Sequence, residues 1–254
     1  GLLKMDFLGL RTLTVIHDTE TAVRRKDPDF RVAGIDYDDP DTYAMLAKGE
    51  TEGIFQLEST GMTQVLTGMR PKNLEDIIAL ISLYRPGPMD SIPTYLRNRK
   101  DPSKVSYKTP QMAHIVDVTN GVVIYQEQVM QICRELAGFS FGQADNVRRA
   151  MSKKKLKVME AEREHFVHGC KEPGKECAGC VANGVPENVA NQIYDDMISF
   201  ASYAFNKSHA ACYAYVAFQT AYLKCHYPHE FMAALLTRVL DNTCLLYTSP
   251  SPRD

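Results

Sequence analysis

The chain has 254 residues, of which 44% are hydrophobic and 24% are charged, with a formal net charge of −2. This length suits one large domain or two small ones, and the composition excludes collagen-like and disordered classes. No apolar run reaches the roughly 18 residues that a membrane span requires, so no membrane partner is expected. The seven cysteines are an odd number and favour a reducing compartment, so we expect a cytoplasmic protein.

The first residues predict a strand followed by a helix. Apolar and polar residues alternate over 3–7, which predicts a half-buried strand with Lys4 and Asp6 on one face. Helical spacing follows over 10–25. By itself, the Lys4 and Asp6 pair is equally consistent with a surface ion pair.

The remainder predicts a mainly α-helical fold with two further short strands, over 53–57 and 122–125. Residues 95–110 are basic and irregular, which predicts an exposed loop. Residues 244–254 resemble translated sequencing adaptor, and a disordered tail is the alternative. Helices are predicted over 41–48, 59–66, 74–83, 126–137, 142–168, 186–205, 208–226 and 228–240.

Positive charge is concentrated within residues 148–157, which contain six cations and no anion. On one continuous helix these cations would form two neighbouring positive faces suited to phosphate groups. A solvated helical face is the alternative interpretation. The cations are Arg148, Arg149, Lys153, Lys154, Lys155 and Lys157.

Two turns also combine rigid geometry with a cation. Tyr84 and Arg85 precede a Pro-Gly-Pro turn at a predicted helix end, where a ligand site and a simple C-terminal cation are both reasonable. Asn206 suits a left-handed helix cap and Ser208 suits a helix start, which places Lys207 beside a helix N-terminus. Helix N-termini bind anions, and an exposed lysine in a turn is the alternative.

A fourth cluster contains soft metal ligands within thirteen residues: His168, Cys170, Cys177 and Cys180. Cys-x-x-Cys is a common zinc half-site, which makes a structural zinc ion one interpretation. The second half lacks the paired spacing of strong zinc motifs. A surface loop with free thiols is therefore the favoured interpretation.

Taken in order, these clusters resemble the C family of bacterial replicative DNA polymerases, the polymerase III alpha subunits. The similarity covers residues 1 to about 243. It rests on long motifs: GLLKMDFLGLRTLT at 1–14, GIFQLESTG at 53–61, SLYRPGPM at 82–89, VIYQEQVM at 123–130, ADNVRRAMSKKK at 144–155, FNKSHAACY at 205–213 and YPHEFMAALLT at 227–237.

The resemblance implies that residues 1–20 are the last piece of the polymerase palm and that 21–243 form the helical fingers. Asp6 matches the family's third catalytic carboxylate and would bind one of two Mg²⁺ ions, with Lys4 near the triphosphate or primer end. The implied nucleotide contacts are Tyr84, Arg85, Arg148, Arg149, Asn206, Lys207, Ser208 and His209. The implied contacts to primer–template DNA are Lys153, Lys154, Lys155 and Lys157.

The chain also departs from the family pattern. The two other catalytic aspartates belong to a D-x-D motif that would precede Gly1, and the regions that contact the sliding clamp and other replisome subunits are absent. We therefore expect weak dNTP or DNA binding and no polymerisation by the isolated chain. The alternatives are a non-catalytic helical nucleic-acid-binding module and, less favoured, a zinc-stabilised interaction domain.

Overall fold

The computed structural model of the chain describes residues 4–5, 9–153, 155–201 and 204–238. This part of the chain is mainly α-helical, as predicted. The helices are α1 (Arg11–Val23), α2 (Pro40–Lys48), α3 (Thr60–Met69), α4 (Leu74–Leu83), α5 (Ile92–Lys100), α6 (Ala113–Val116), α7 (Gln126–Ala137), α8 (Phe141–Ser152), α9 (Leu156–His168), α10 (Glu187–Ala201), α11 (Lys207–His226) and α12 (Pro228–Arg238).

The short strands predicted for the N-terminal part are not supported: Lys4 and Met5 have no regular structure, and the rest of the 3–7 segment lies outside the described residues. Residues 53–57 form turns instead, and the backbone of Gln56 has a φ of 67°. That left-handed conformation is incompatible with an extended strand. The apolar side chains of Ile54 and Leu57 are buried in this turn-rich segment.

Residues 122–125 are extended but make only an isolated bridge within the described chain, between Tyr125 and Phe205. A buried glutamine fixes this extended segment. Gln128 Oε1 accepts hydrogen bonds from the backbone N–H groups of Ile124 (2.8 Å) and Tyr125 (2.9 Å). The side chain of Tyr125 is thereby fixed at the start of α7.

The single helix predicted over 142–168 is wrong, because α8 ends at Ser152 and α9 begins at Leu156. Consecutive lysines occupy the break. Like charges one turn apart destabilise a helix, whereas cations near a helix C-terminus are favoured by its dipole. Arg148 and Arg149 lie towards the end of α8, Lys153 and Lys155 lie in the link, and Lys157 lies in the first turn of α9, so these residues do not share two faces of one helix.

The predicted loop over 95–110 is also partly wrong, since α5 extends to Lys100 and buries Tyr95 to 2% exposure. Its cations are concentrated in the last turn of the helix, at Arg97, Arg99 and Lys100. The composition of this segment therefore did not distinguish the basic last turn of a helix from an exposed loop.

The chain divides into two compact units, one of residues 1–77 with 212–254 and one of 78–211. In the first unit, α1 packs on α12 around Ile16, Leu223 and Phe231. The predicted tail over 244–254 lies outside the described residues.

The second unit has a core formed by α7, α8, α9 and α10. Ile132 on α7, Phe166 on α9 and Tyr194 on α10 are each at most 1% exposed. Burying one such side chain contributes about 1.5 to 3 kcal/mol. This core supports the functional residues described below. Among the helices described, none combines the length and apolarity needed to cross a bilayer.

Candidate functional site

The site is built on the backbone pairing of Tyr125 with Phe205 in the second unit. The Phe205 N–H donates to the Ile124 carbonyl over 3.1 Å, and the Gln126 N–H donates to the Phe205 carbonyl over 3.0 Å. These bonds join the start of α7 to the segment that precedes α11. Two aromatic rings are therefore held at one place by main-chain contacts.

Arg85 approaches one of these rings. Its guanidinium carbon lies 4.3 Å from the centroid of the Phe205 ring, a cation–π contact. As predicted, α4 ends at Leu83 before the Pro-Gly-Pro turn, where Gly87 has a φ of 104°. Arg85 is exposed and Tyr84 is half-buried, so both are accessible to a ligand.

The other ring is approached by Lys207, which is the first residue of α11. Its ammonium lies 5.3 Å from the centroid of the Tyr125 ring. Asn206 caps the helix, since its Oδ1 accepts from the His209 N–H over 2.8 Å. Ser208 is exposed in the first turn. The predicted helix start is thus displaced by only one residue.

His209 joins the same group of side chains. Its ring centroid lies 5.3 Å from that of Phe205, with the two rings nearly perpendicular at 73°. This arrangement is a favourable aromatic geometry. Of the predicted contacts at positions 206 to 209, Lys207 and His209 thus lie against the rings of Tyr125 and Phe205.

Arg148 and Arg149 meet on one carboxylate of α8, that of Asp145. Arg148 Nε and Nη2 donate to Asp145 Oδ1 over 2.9 and 2.7 Å, and Arg149 Nε lies 2.7 Å from Oδ2. Hydrogen bonding from Arg148 is the main reason that the pKa of Asp145 lies below its ordinary value. The two arginines predicted to contact phosphate are held side by side.

Two residues that the sequence interpretation left without a role connect these parts. Gln126 Oε1 accepts from Arg148 Nη1 over 3.0 Å. Glu127 accepts from Asn206 Nδ2 over 2.9 Å and from the Lys207 N–H over 3.1 to 3.2 Å. Both belong to the YQEQ motif, but nothing in their spacing indicated which residues they would contact.

A cavity of about 510 Å³ adjoins these residues between α7 and α8. Gln126, Glu127, Arg148 and Asn206 line its polar side, and Phe141, which is 66% exposed, lies at its rim. The volume is within the range of small-molecule sites. Of the predicted nucleotide-binding cations, Arg148 borders this concave surface.

The predicted DNA contacts lie at the helix break. Lys153, Lys155 and Lys157 are exposed, and Lys154 lies outside the described residues. Lys4 is exposed as well, whereas the predicted metal ligand Asp6 lies outside the described residues. The structure therefore brings together the predicted nucleotide contacts but gives no geometry for the predicted catalytic carboxylate.

The four residues predicted as zinc ligands are not grouped as a metal site in the described structure. Across the described residues, no three His, Cys, Asp or Glu side chains are grouped so that they could hold a metal ion. Instead, Cys170 and Cys177 pair through two backbone hydrogen bonds. Burial raises the pKa of the Cys180 thiol to about 12.

This mainly helical architecture holds four predicted nucleotide contacts, Arg85, Arg148, Arg149 and Lys207, within one compact unit. Residues 12–174 match the family described as the bacterial DNA polymerase III alpha subunit finger domain, so the chain belongs to that family.

Named relatives agree with this assignment. The chain is 51% identical over 243 residues to the DNA polymerase III subunit alpha of Thermus aquaticus and 46% identical over 241 residues to that of Staphylococcus aureus strain COL. These similarities cover 93% and 94% of the chain. The chain spans only 19% and 22% of the length of those relatives.

Proposed function

We propose that this chain supplies the incoming-nucleotide surface of a DNA-directed DNA polymerase, which joins dNTPs to a primer 3′-hydroxyl. Arg85, Arg148, Arg149 and Lys207 would neutralise the triphosphate. Tyr84, Asn206, Ser208 and His209 would contact the nascent base pair or the phosphates. Primer–template DNA and dNTP are the proposed ligands, and contacts with the sliding clamp would belong to other regions of a longer subunit.

One observation carries this proposal: a continuous series of contacts joins the four cations, although they come from three separate parts of the sequence. Arg85 contacts Phe205, which pairs with Tyr125, and Tyr125 contacts Lys207. The next residue in α7, Gln126, bonds Arg148, which shares a carboxylate with Arg149. Because these contacts already restrict the cationic side chains, the side chains lose little further conformational entropy when an anion binds.

The metal chemistry of the proposed reaction involves Asp6 alone among the residues of this chain. Bound Mg²⁺ would polarise the phosphoryl oxygens and lower the pKa of the primer hydroxyl. Since the other two carboxylates of the family motif are absent from this sequence, we expect no primer extension by the 254-residue chain. Mg²⁺-dependent incorporation by the isolated chain would contradict this expectation.

The nucleotide assignment is tested by Arg148→Ala in a full-length subunit that contains this chain. Loss of a charged hydrogen bond costs about 1.5 to 3 kcal/mol, which corresponds to a fall in kcat/KM for dATP of about 10- to 150-fold. Arg163→Ala is the matched control, because Arg163 likewise pairs with an aspartate, Asp195, and donates to a side-chain amide, that of Asn191. Equal effects of the two substitutions would refute the assignment.

The second candidate is a non-catalytic nucleic-acid-binding module, which the exposed Lys153, Lys155 and Lys157 favour. The two candidates differ in what they require of Asp6. In the full-length subunit, Asp6→Asn should abolish extension and retain primer–template binding if the chain belongs to a polymerase active site. Unchanged extension would favour the binding module.

A further inference from the structure

Gln126 uses both ends of its amide to join two parts of the site. Its Oε1 accepts from Arg148 Nη1 over 3.0 Å, and its Nε2 donates to the Ala204 carbonyl over 3.1 Å. The side chain is half-buried. An amide combines a neutral acceptor with a donor, so this residue can hold a cation and a carbonyl together.

The bonds to Arg148 leave a defined pair of donors. A guanidinium has five N–H groups. Nε and Nη2 each use one on Asp145, and Nη1 uses one on Gln126. With respect to the described residues, one N–H remains on each terminal nitrogen. These remaining N–H groups can donate charge-assisted hydrogen bonds to a phosphate.

Glu127 acts on the other half of the site. Its carboxylate accepts from Asn206 Nδ2 over 2.9 Å and from the Lys207 N–H over 3.1 to 3.2 Å. A carboxylate at this end of α11 is favoured by the helix dipole. Neighbouring residues of an α-helix project about 100° apart, which explains how Gln126 and Glu127 contact different elements.

We infer that Gln126 and Glu127 are positioning residues for the incoming triphosphate. Gln126 orients the guanidinium of Arg148 with its remaining N–H donors, and Glu127 fixes Asn206 and Lys207 at the start of α11. Neither side chain needs to contact the nucleotide. This inference rests on the proposed function and assigns two residues the task of holding the nucleotide contacts in place before the nucleotide arrives.

The test uses a full-length subunit and measures KM and kcat for dATP together with the Kd of primer–template. Gln126→Met removes both hydrogen bonds at similar volume, and Glu127→Gln removes the charge at constant shape. Each should raise the KM for dATP about tenfold, as expected for losing roughly 1.4 kcal/mol of binding, with kcat and DNA affinity within about twofold. If one variant fails to fold, the other carries the test.

Matched controls lie on the same helix. Gln131 donates to Glu135, and Glu135 also bonds His114, so the hydrogen bonds of both side chains go to residues with no predicted nucleotide role, although both side chains line the same cavity. Gln131→Met and Glu135→Gln should leave the KM for dATP within about twofold. A tenfold rise in these controls would overturn the inference, because the effect would then be a general response of α7.

A double substitution separates positioning from a general structural role. If Gln126 acts through Arg148, adding Gln126→Met to Arg148→Ala should raise the KM for dATP by less than about twofold more. A full tenfold addition would overturn the inference. If Arg148→Ala alone changes nothing, the proposed function fails with it. If Arg148→Ala weakens dATP binding but neither positioning variant does, only the inference fails.

Discussion

Asn206 offers a direct test of the geometry because its side chain makes two separable hydrogen bonds. Its Oδ1 accepts from the His209 N–H over 2.8 Å, and its Nδ2 donates to Glu127 over 2.9 Å. Serine can supply the cap acceptor, but it is too short to replace the amide donor. Alanine supplies neither.

The magnitudes follow from these two contacts. Loss of a helix N-cap costs about 1 kcal/mol, within a range of roughly 0.5 to 2. The bond to Glu127 is exposed, so it contributes about 0.2 to 1 kcal/mol. Asn206→Ser should therefore destabilise the chain by less than about 1 kcal/mol, and Asn206→Ala by about 1 to 2.5 kcal/mol.

Urea unfolding followed by far-UV circular dichroism measures both differences. Glu127→Ala extends the experiment to a double-mutant cycle with Asn206→Ala. The direct bond predicts a coupling free energy above about 0.5 kcal/mol. Equal losses for serine and alanine, or additive effects of the two alanine substitutions, would refute this account of how α11 begins.

Three further predictions concern other parts of the chain. Gly179→Ala should cost about 2 to 5 kcal/mol in urea unfolding, since φ is +80° and an added Cβ would lie 2.3 Å from the Gly169 nitrogen. Burial raises the pKa of Asp39, but hydrogen bonds led by Thr42 outweigh it and leave that pKa below 3.8. The ionised Asp39 side chain thus stabilises the fold above about pH 4, and this stabilisation is lost as the pH falls. In Asp39→Asn, the free energy of unfolding should therefore decrease less steeply below about pH 4. Replacing the three exposed lysines of 153–157 by alanine should reduce the salt dependence of duplex binding: the slope of log K against log salt concentration should fall in magnitude by about 2 to 3.

The sequence predicted those features that local chemistry determines. The bounds of α4 and α7 agree with the apolar spacing, and the turn after Leu83 follows from proline and glycine. The start of α11 near Lys207 follows from the cap at Asn206. Each of these signals lies within a few residues of the structure it specifies.

The contacts that assemble the site could not be predicted in this way. Glu127 bonds Asn206 across 79 residues of sequence, and Gln126 bonds Arg148 across 22. Their partners depend on how α7, α8 and the start of α11 pack, which periodicity does not encode. The family motifs indicated that these segments matter, but not which side chain each residue would hold.

The errors have physical causes of the same kind. The predicted strand over 53–57 is not formed, because Ile54 and Leu57 are buried within a turn-rich segment instead. The apolar residues keep helical spacing over 142–168, so this spacing did not indicate the break at the lysines. Repulsion between like charges does not change the positions of apolar residues. Burial and charge repulsion thus overrode the local pattern.

The central claim is that Arg85, Arg148 and Lys207 receive the triphosphate of an incoming dNTP. A crystal structure of a full-length subunit with primer–template and a non-hydrolysable dATP analogue tests it most directly. We expect phosphate oxygens within about 3.2 Å of the two free N–H groups of Arg148, with Gln126 still bonded to Nη1. A triphosphate bound more than about 8 Å from all three cations would contradict the account.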